Sequence, residues 1–383
     1  MKNKHHIETR LIHAGEPRPA ICGAVSLPIF QSSTYEYAGQ DNYDDLKYIR
    51  LNNTPNHIAL HEKLASLENA EDAVVMGSGM AAISTLFFAM LKPGDHFLAQ
   101  DCLYGGTHEF LMRDFSGLGI SFDFIKGDDP SEWKQKLKPE TRLIYVETIT
   151  NPLMQVADLK GIVEFAQKHN LVSVIDNTFA SPVNFRPAEW GFDLSVHSGS
   201  KYLNGHSDIV AGAVMGRGDL IKQILHKLNH LGGTLDPHAC FLLHRGIKTL
   251  AVRMRYQNES TLKIADYLIN HPKVEKVNYP GLPDSPFHAR AAEFFDGCSG
   301  MLSFEIKGGV AEADAFIKKT NLPFVAPSLG GVETLITRPA TTSHAGVPQK
   351  ERLKQGITDH LIRVSVGIEN TDDLIADFKE ALG

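Results

Sequence analysis

A lysine set among small hydroxyl residues is the first chemical signal in this chain. Lys201 lies in Ser195-Val-His-Ser-Gly-Ser-Lys-Tyr202, with Ser198 and Ser200 beside it. A lysine amine ordinarily titrates near ~10.4 and is a poor nucleophile while charged. Partial burial lowers that value and frees the amine for Schiff-base or general-base chemistry. The plain alternative is a lysine whose stem lies on the surface and whose amine reaches water. In Val174-Ile-Asp-Asn177, Asp176 stands at the tip of an apolar run. It is either a helix cap or a carboxylate aimed at a cation in a desolvated crevice. Gly77-Ser-Gly79-Met-Ala-Ala82 separates an apolar run from a helical one. Backbone N–H groups and the positive helix end make such a place an anion site, where Gly79 and Met80 would face a phosphate. The segment also fits the dinucleotide pattern G-x-G-x-x-A with Asp101 further on, or a simple tight turn. Tyr104, in Leu103-Tyr-Gly-Gly-Thr107, follows a strand-like run and offers an aromatic face.

Together these residues match the needs of pyridoxal phosphate. That cofactor requires an anion site, an amine for its aldehyde, a carboxylate for its ring nitrogen and an aromatic face. A nicotinamide-dependent oxidoreductase built on Gly77-Ser-Gly79 is the reading from a different class, and it leaves Lys201 and Asp176 without a joint role. A metal-binding reading rests on His57 and His61, one helical turn apart. They lack a third ligand nearby and are read as a solvated face, so no metal is expected.

The elements that must hold these residues follow from periodicity. Ala73–Met76, His96–Ala99, Arg142–Glu147, Leu171–Ile175, Leu194–Val196 and Ile209–Val214 are short apolar runs and read as buried strands. Helical patterns cover His57–Glu68, Met80–Leu91, Leu159–His169, Leu220–Leu231 and Thr249–Leu268. Alternation of the two implies an α/β unit with a mostly parallel sheet covered on both faces. Ligands in such sheets bind beyond the carboxyl ends of the strands, where Asp176 and Ser198–Lys201 fall. After Pro272 the pattern changes to short strands, Val274–Tyr279 and Met301–Ile306, and helices over Ala311–Lys319 and Thr371–Leu382. This predicts a smaller α+β domain. The first fifty residues are irregular and read as an arm that packs on something else. The expected division is therefore 1–50 for the arm, 51–246 for a cofactor domain and 247–383 for a C-terminal domain.

The chain has 383 residues, 43% of them apolar, enough to build a core without staples. Its 38 Lys and Arg against 45 Asp and Glu give a charge of −7, which disfavours nucleic-acid binding. Four scattered cysteines without a CxxC pair suit a reducing cytoplasm. No secretory or membrane-spanning run is present in the sequence, so no membrane partner is expected.

Ser198-Gly-Ser-Lys-Tyr202 with Gly205-His-Ser-Asp208 resembles the pyridoxal-phosphate signature of the trans-sulfuration (cysteine/methionine metabolism) enzymes. So do Ser78-Gly-Met80, Leu103-Tyr-Gly105, Asn151-Pro152, Asp176-Asn-Thr178, Ser328-Leu-Gly-Gly331 and Leu361-Ile-Arg-Val-Ser-Val-Gly-Ile-Glu369. The likeness runs from Thr9 to the C-terminus. It implies an aspartate-aminotransferase-like type I fold and a homo-oligomer, usually a tetramer, whose subunits share active sites. It implies that Lys201 and Tyr104 are catalytic, with Lys201 bonded to the cofactor aldehyde and Tyr104 stacked on the ring. Asp176 would pair with the ring nitrogen, and Asn151 would lie near the ring hydroxyl. Gly79, Met80, Ser198 and Ser200 would hold the phosphate, joined by Tyr48 and Arg50 from a neighbouring subunit. Arg363 would grip the substrate carboxylate, with Ser328 and Asn151 beside it.

The resemblance also implies a sulfur-containing amino acid as substrate. Tyr48-Ile-Arg-Leu-Asn-Asn-Thr-Pro55 departs from the usual Tyr-x-Arg-x-x-Asn-Pro-Thr. Pro327 stands before Ser328 where many γ-synthases and γ-lyases carry Glu, and Gly106 where methionine γ-lyases usually carry Cys. β-elimination needs no extra acid near the γ-carbon, so the expected reaction is cleavage of cystathionine to homocysteine, pyruvate and ammonia. γ-replacement on an activated homoserine and γ-elimination remain as alternatives.

Overall fold

A computed structural model describes residues 5–383. Its larger sheet contains β1 (Asp72–Met76), β2 (His96–Gln100), β3 (Ser121–Ile125), β4 (Thr141–Glu147), β5 (Val172–Asp176), β6 (Leu194–Ser198) and β7 (Gly212–Gly216), in the order β1-β7-β6-β5-β4-β2-β3. Strands β2 to β6 pair in parallel, whereas β7 is antiparallel to both of its neighbours. Side chains alternate across a strand, and here both faces are dry. Val74, Phe97, Tyr145, Val174 and Val196 enter one core. Val75, Leu98, Ile144 and Ile175 enter the other. That explains the unbroken apolar runs.

One consequence is that β1, β2, β4, β5 and β6 all end at the same edge. The turn after β1 leads into the Gly79–Met90 helix, which Ser78 caps by accepting the Ala81 N–H at 2.9 Å. A Cβ at Gly212 would lie 2.0 Å from the Ser78 carbonyl oxygen, so glycine lets β7 run against this turn.

The smaller sheet has β8 (Val274–Asn278), β9 (Met301–Ile306), β10 (Phe324–Val325), β11 (Leu335–Thr337) and β12 (Leu361–Ser365), in the order β10-β11-β12-β9-β8. Its pairs are antiparallel except β10 with β11. Ile362 and Val364 of β12 pack into the core shared with Phe304, Phe316 and Phe378. By the two-residue period Arg363 faces the opposite way.

Three expectations change. The strand expected over 209–214 is Gly212–Gly216, because Ala211 is held instead by its N–H to Ser200 Oγ at 2.9 Å. β3, a partly exposed edge strand, was not expected. The start of the arm does have partners in its own chain. It forms the Ile7–His13 helix, Leu11 enters the core, and buried Lys63 donates to the Leu11 carbonyl at 2.8 Å. Farther along, Val25, Tyr37 and Tyr43 are exposed.

Candidate active site

The strand ends and the smaller sheet enclose a cavity of ≈ 980 Å³. Lys201, Asp176, Tyr104, Asn151, Ser328 and Arg363 all line it. So do Gly79, Met80, Ser198 and Ser200. Ten of the twelve residues expected at the site are thus brought to one cavity. The other two, Tyr48 and Arg50, do not line it. Arg50 donates to the Asn229 carbonyl at 2.7 Å, and its guanidinium lies 5.4 Å from the centre of the Tyr48 ring.

Half-buried Lys201 donates from Nζ to Ser328 Oγ at 2.6 Å. Burial, then the Arg363 cation, pull its pKa from 10.5 down to about 8. In cofactor-free protein, labelling of Lys201 by an amine-directed reagent should therefore rise with a midpoint near pH 8. Peptide mass spectrometry across a pH series checks this; a midpoint near 10.5 would contradict it. Between these two values the unfolded chain holds the extra proton, so this group makes folding more favourable as pH rises through the window.

Asp176 is half-buried at the end of β5. Burial raises its pKa, and hydrogen bonds from Thr178 offset part of that rise. Its Oδ1 accepts the Thr178 N–H at 3.0 Å, while Tyr145 donates its hydroxyl to Oδ2 at 3.4 Å. Thr178 also accepts the Ser198 N–H at 2.9 Å, which ties β6 to the same corner. Arg363 is buried, with 4% exposure. Its Nη1 donates to Asn151 Oδ1 at 3.1 Å and its Nη2 to the Ser328 carbonyl at 3.0 Å. Burial pulls this guanidinium down to about 10, which leaves it charged at neutral pH. Ser328 holds φ of 90°, a left-handed conformation that a side chain disfavours. Strain of this kind persists where the surroundings fix it, here through Lys201 on the hydroxyl and Arg363 on the carbonyl.

Two acids and a histidine were not anticipated. Glu147 ends β4 beside Asp176, and Glu109 lines the cavity from the Gly105–Arg113 helix. An acid closing the apolar run Arg142–Glu147 is the same signal that marked Asp176. His344 is buried; desolvation, then Arg363, lower its pKa to about 4, so it is neutral at pH 7. His57 is buried rather than solvated. Its Nδ1 meets Thr54 Oγ1 and its Nε2 the Leu235 carbonyl, both at 2.7 Å. Among the described residues no group of three or more His, Cys, Asp or Glu is placed to hold a metal ion. Likewise, no helix among them is long and apolar enough to cross a membrane.

The donor set fits pyridoxal phosphate. An amine, a carboxylate and an aromatic ring share one cavity with a capped helix start and two serine hydroxyls. Gly79 makes that fit close, since a Cβ there would lie 2.9 Å from the Ser198 Cβ.

Comparison with known proteins agrees with this chemistry. The family model described as Cys/Met metabolism PLP-dependent enzyme matches residues 8–383. A cystathionine beta-lyase of Coxiella burnetii is 41% identical over 99% of this chain and 98% of its own length. A cystathionine gamma-lyase of Bacillus subtilis is 40% identical over 98% of each. The solved structure of cystathionine gamma-lyase from Lactobacillus plantarum complexed with L-serine superposes with a TM-score of 0.94 at 38% identity, covering 98% of both chains.

Proposed function

Because the chain belongs to the Cys/Met metabolism family of PLP-dependent enzymes, we propose that it cleaves L-cystathionine by β-elimination. With one water consumed, the products are homocysteine, pyruvate and ammonia. One observation carries this reading. Ser328 joins the amine and the guanidinium, while Ala326 and Pro327 beside it on the wall carry no acid. β-elimination removes one proton from the α-carbon and expels one thiolate, so a single base suffices. γ-chemistry needs a further proton relay at the β-carbon.

The bound cofactor supplies the electron sink for the α-carbon. Everything else is assigned to the chain. Arg363 takes the substrate carboxylate as a two-point pair, its plane held by Asn151 and Ser328. Lys201 Nζ, its pKa drawn down to about 8 by burial, accepts the α-proton once deprotonated. Asp176 would face the ring nitrogen and Tyr104 the ring. Gly79, Met80, Ser198 and Ser200 would hold the phosphate, and Tyr48 and Arg50 would reach the phosphate of a neighbouring subunit. That last role explains why both stand outside the cavity of their own chain, and it calls for a homo-oligomer, in our reading a cytoplasmic tetramer.

A near-equal likeness to a gamma-lyase favours γ-elimination as the second reading. Product analysis on pure cystathionine separates the two. We expect pyruvate with homocysteine; 2-oxobutyrate with cysteine would establish γ-elimination instead. No turnover unless an activated homoserine is added would mean a synthase.

A further inference from the structure

Glu147 is a buried acid on the cavity wall that the chemistry above leaves unused. Only 5% of it is exposed, and its Cα partner across the parallel pair is Asp176. Its Oε1 accepts the Tyr104 N–H at 2.6 Å, and the Asn151 N–H faces the carboxyl closely enough to pull its pKa down, against burial. Its own N–H donates to Gln100 Oε1 at 2.9 Å, which ties the end of β4 to the end of β2. Tyr104 leads into the Gly105–Arg113 helix, whereas Asn151 lies on the loop after β4. One side chain thus ties together two loops. One carries the aromatic ring at the cavity, and the other carries the amide that holds Arg363.

We propose that Glu147 is a positioning residue that sets Tyr104 and Asn151 around the cofactor by the reach of its acceptor oxygen, not by negative charge. The inference rests on the pyridoxal-phosphate site described above. Two carboxyls at neighbouring strand ends, away from water, do not both stay ionised at little cost. Burial, then the charge of Asp176, hold the Glu147 carboxyl well above the usual range. A neutral carboxyl still accepts N–H bonds through its carbonyl oxygen. The ionised form is then left to Asp176, the acid assigned to the ring nitrogen.

Two variants separate reach from charge. Glu147→Gln keeps the length and one acceptor but abolishes the charge. Glu147→Asp keeps the charge but withdraws the oxygens by one methylene. The readouts are the Kd of pyridoxal phosphate for the cofactor-free protein, by spectroscopic titration, and kcat/KM on cystathionine. We expect Glu147→Gln to stay within about threefold of wild type in both. Glu147→Asp should weaken cofactor affinity and kcat/KM by about tenfold each, as a small misplacement of site groups does. The reverse order, or equal affinities for the two variants, overturns the proposal. Lower melting temperatures without a separation in affinity would mark a merely structural role and overturn it as well. The affinity arm needs no turnover. A wild type that binds the cofactor yet spares cystathionine therefore sinks the β-elimination reading, and the Gln and Asp affinities still decide the role of Glu147.

Discussion

Replacing Lys201 by alanine is expected to lower turnover of cystathionine by at least about 10³-fold, because the residue we propose as both covalent anchor and general base is removed. Lys201 is the one amine lining the cavity among the described residues, so no neighbour takes its place. The fold should survive. The side chain makes one hydrogen bond, to Ser328 Oγ, and its charge is already disfavoured by burial. A melting temperature at or slightly above that of wild type, with native circular dichroism, would accompany the lost turnover. Retention of most activity would refute the assignment.

Arg363→Ala is expected to act on substrate affinity. Removing one member of a buried charge pair costs about 2–5 kcal/mol, which corresponds to a rise in KM of roughly 30-fold or more. The effect on kcat should be smaller, because Lys201 and Asp176 do not bond to the guanidinium. Arg363→Lys restores the charge but not the fork that meets two oxygens, so its KM should fall between the two. Steady-state kinetics on cystathionine decide the matter; an unchanged KM for the alanine variant would show that the carboxylate is gripped elsewhere.

Much of this site was legible in the sequence because chemistry-bearing residues follow apolar runs. Asp176 closes Val172–Asp176, and Lys201 comes just after Leu194–Ser198; a parallel sheet brings both to one edge. Gly79 was readable as a helix start, for the same local reasons that make Ser78 a cap. Arg363 was different. It hangs from the smaller sheet, and no local pattern says which face of β12 meets the cavity; only the family resemblance pointed to it. Glu147 was passed over as the last residue of a buried strand, although its position matches that of Asp176. His57 was assigned to water, yet it shares the helical face of Leu60 and Leu64 and finds buried partners in Thr54 and the Leu235 carbonyl. A polar residue on an apolar face belongs inside whenever its hydrogen bonds are met there.

The division of labour between the two sheets has a mechanical side. The amine belongs to the larger sheet and the guanidinium to the smaller, and Ser328 is the point where both are fastened. A substrate held at its α-carbon by one sheet and at its carboxylate by the other would act as a removable cross-link between them. Such a ligand stabilises the folded chain by RT ln(1 + [L]/Kd), and it does so across the seam rather than within either half. Expelling the products would unfasten the same seam, so the cleft would be tight while chemistry proceeds and slack when it ends.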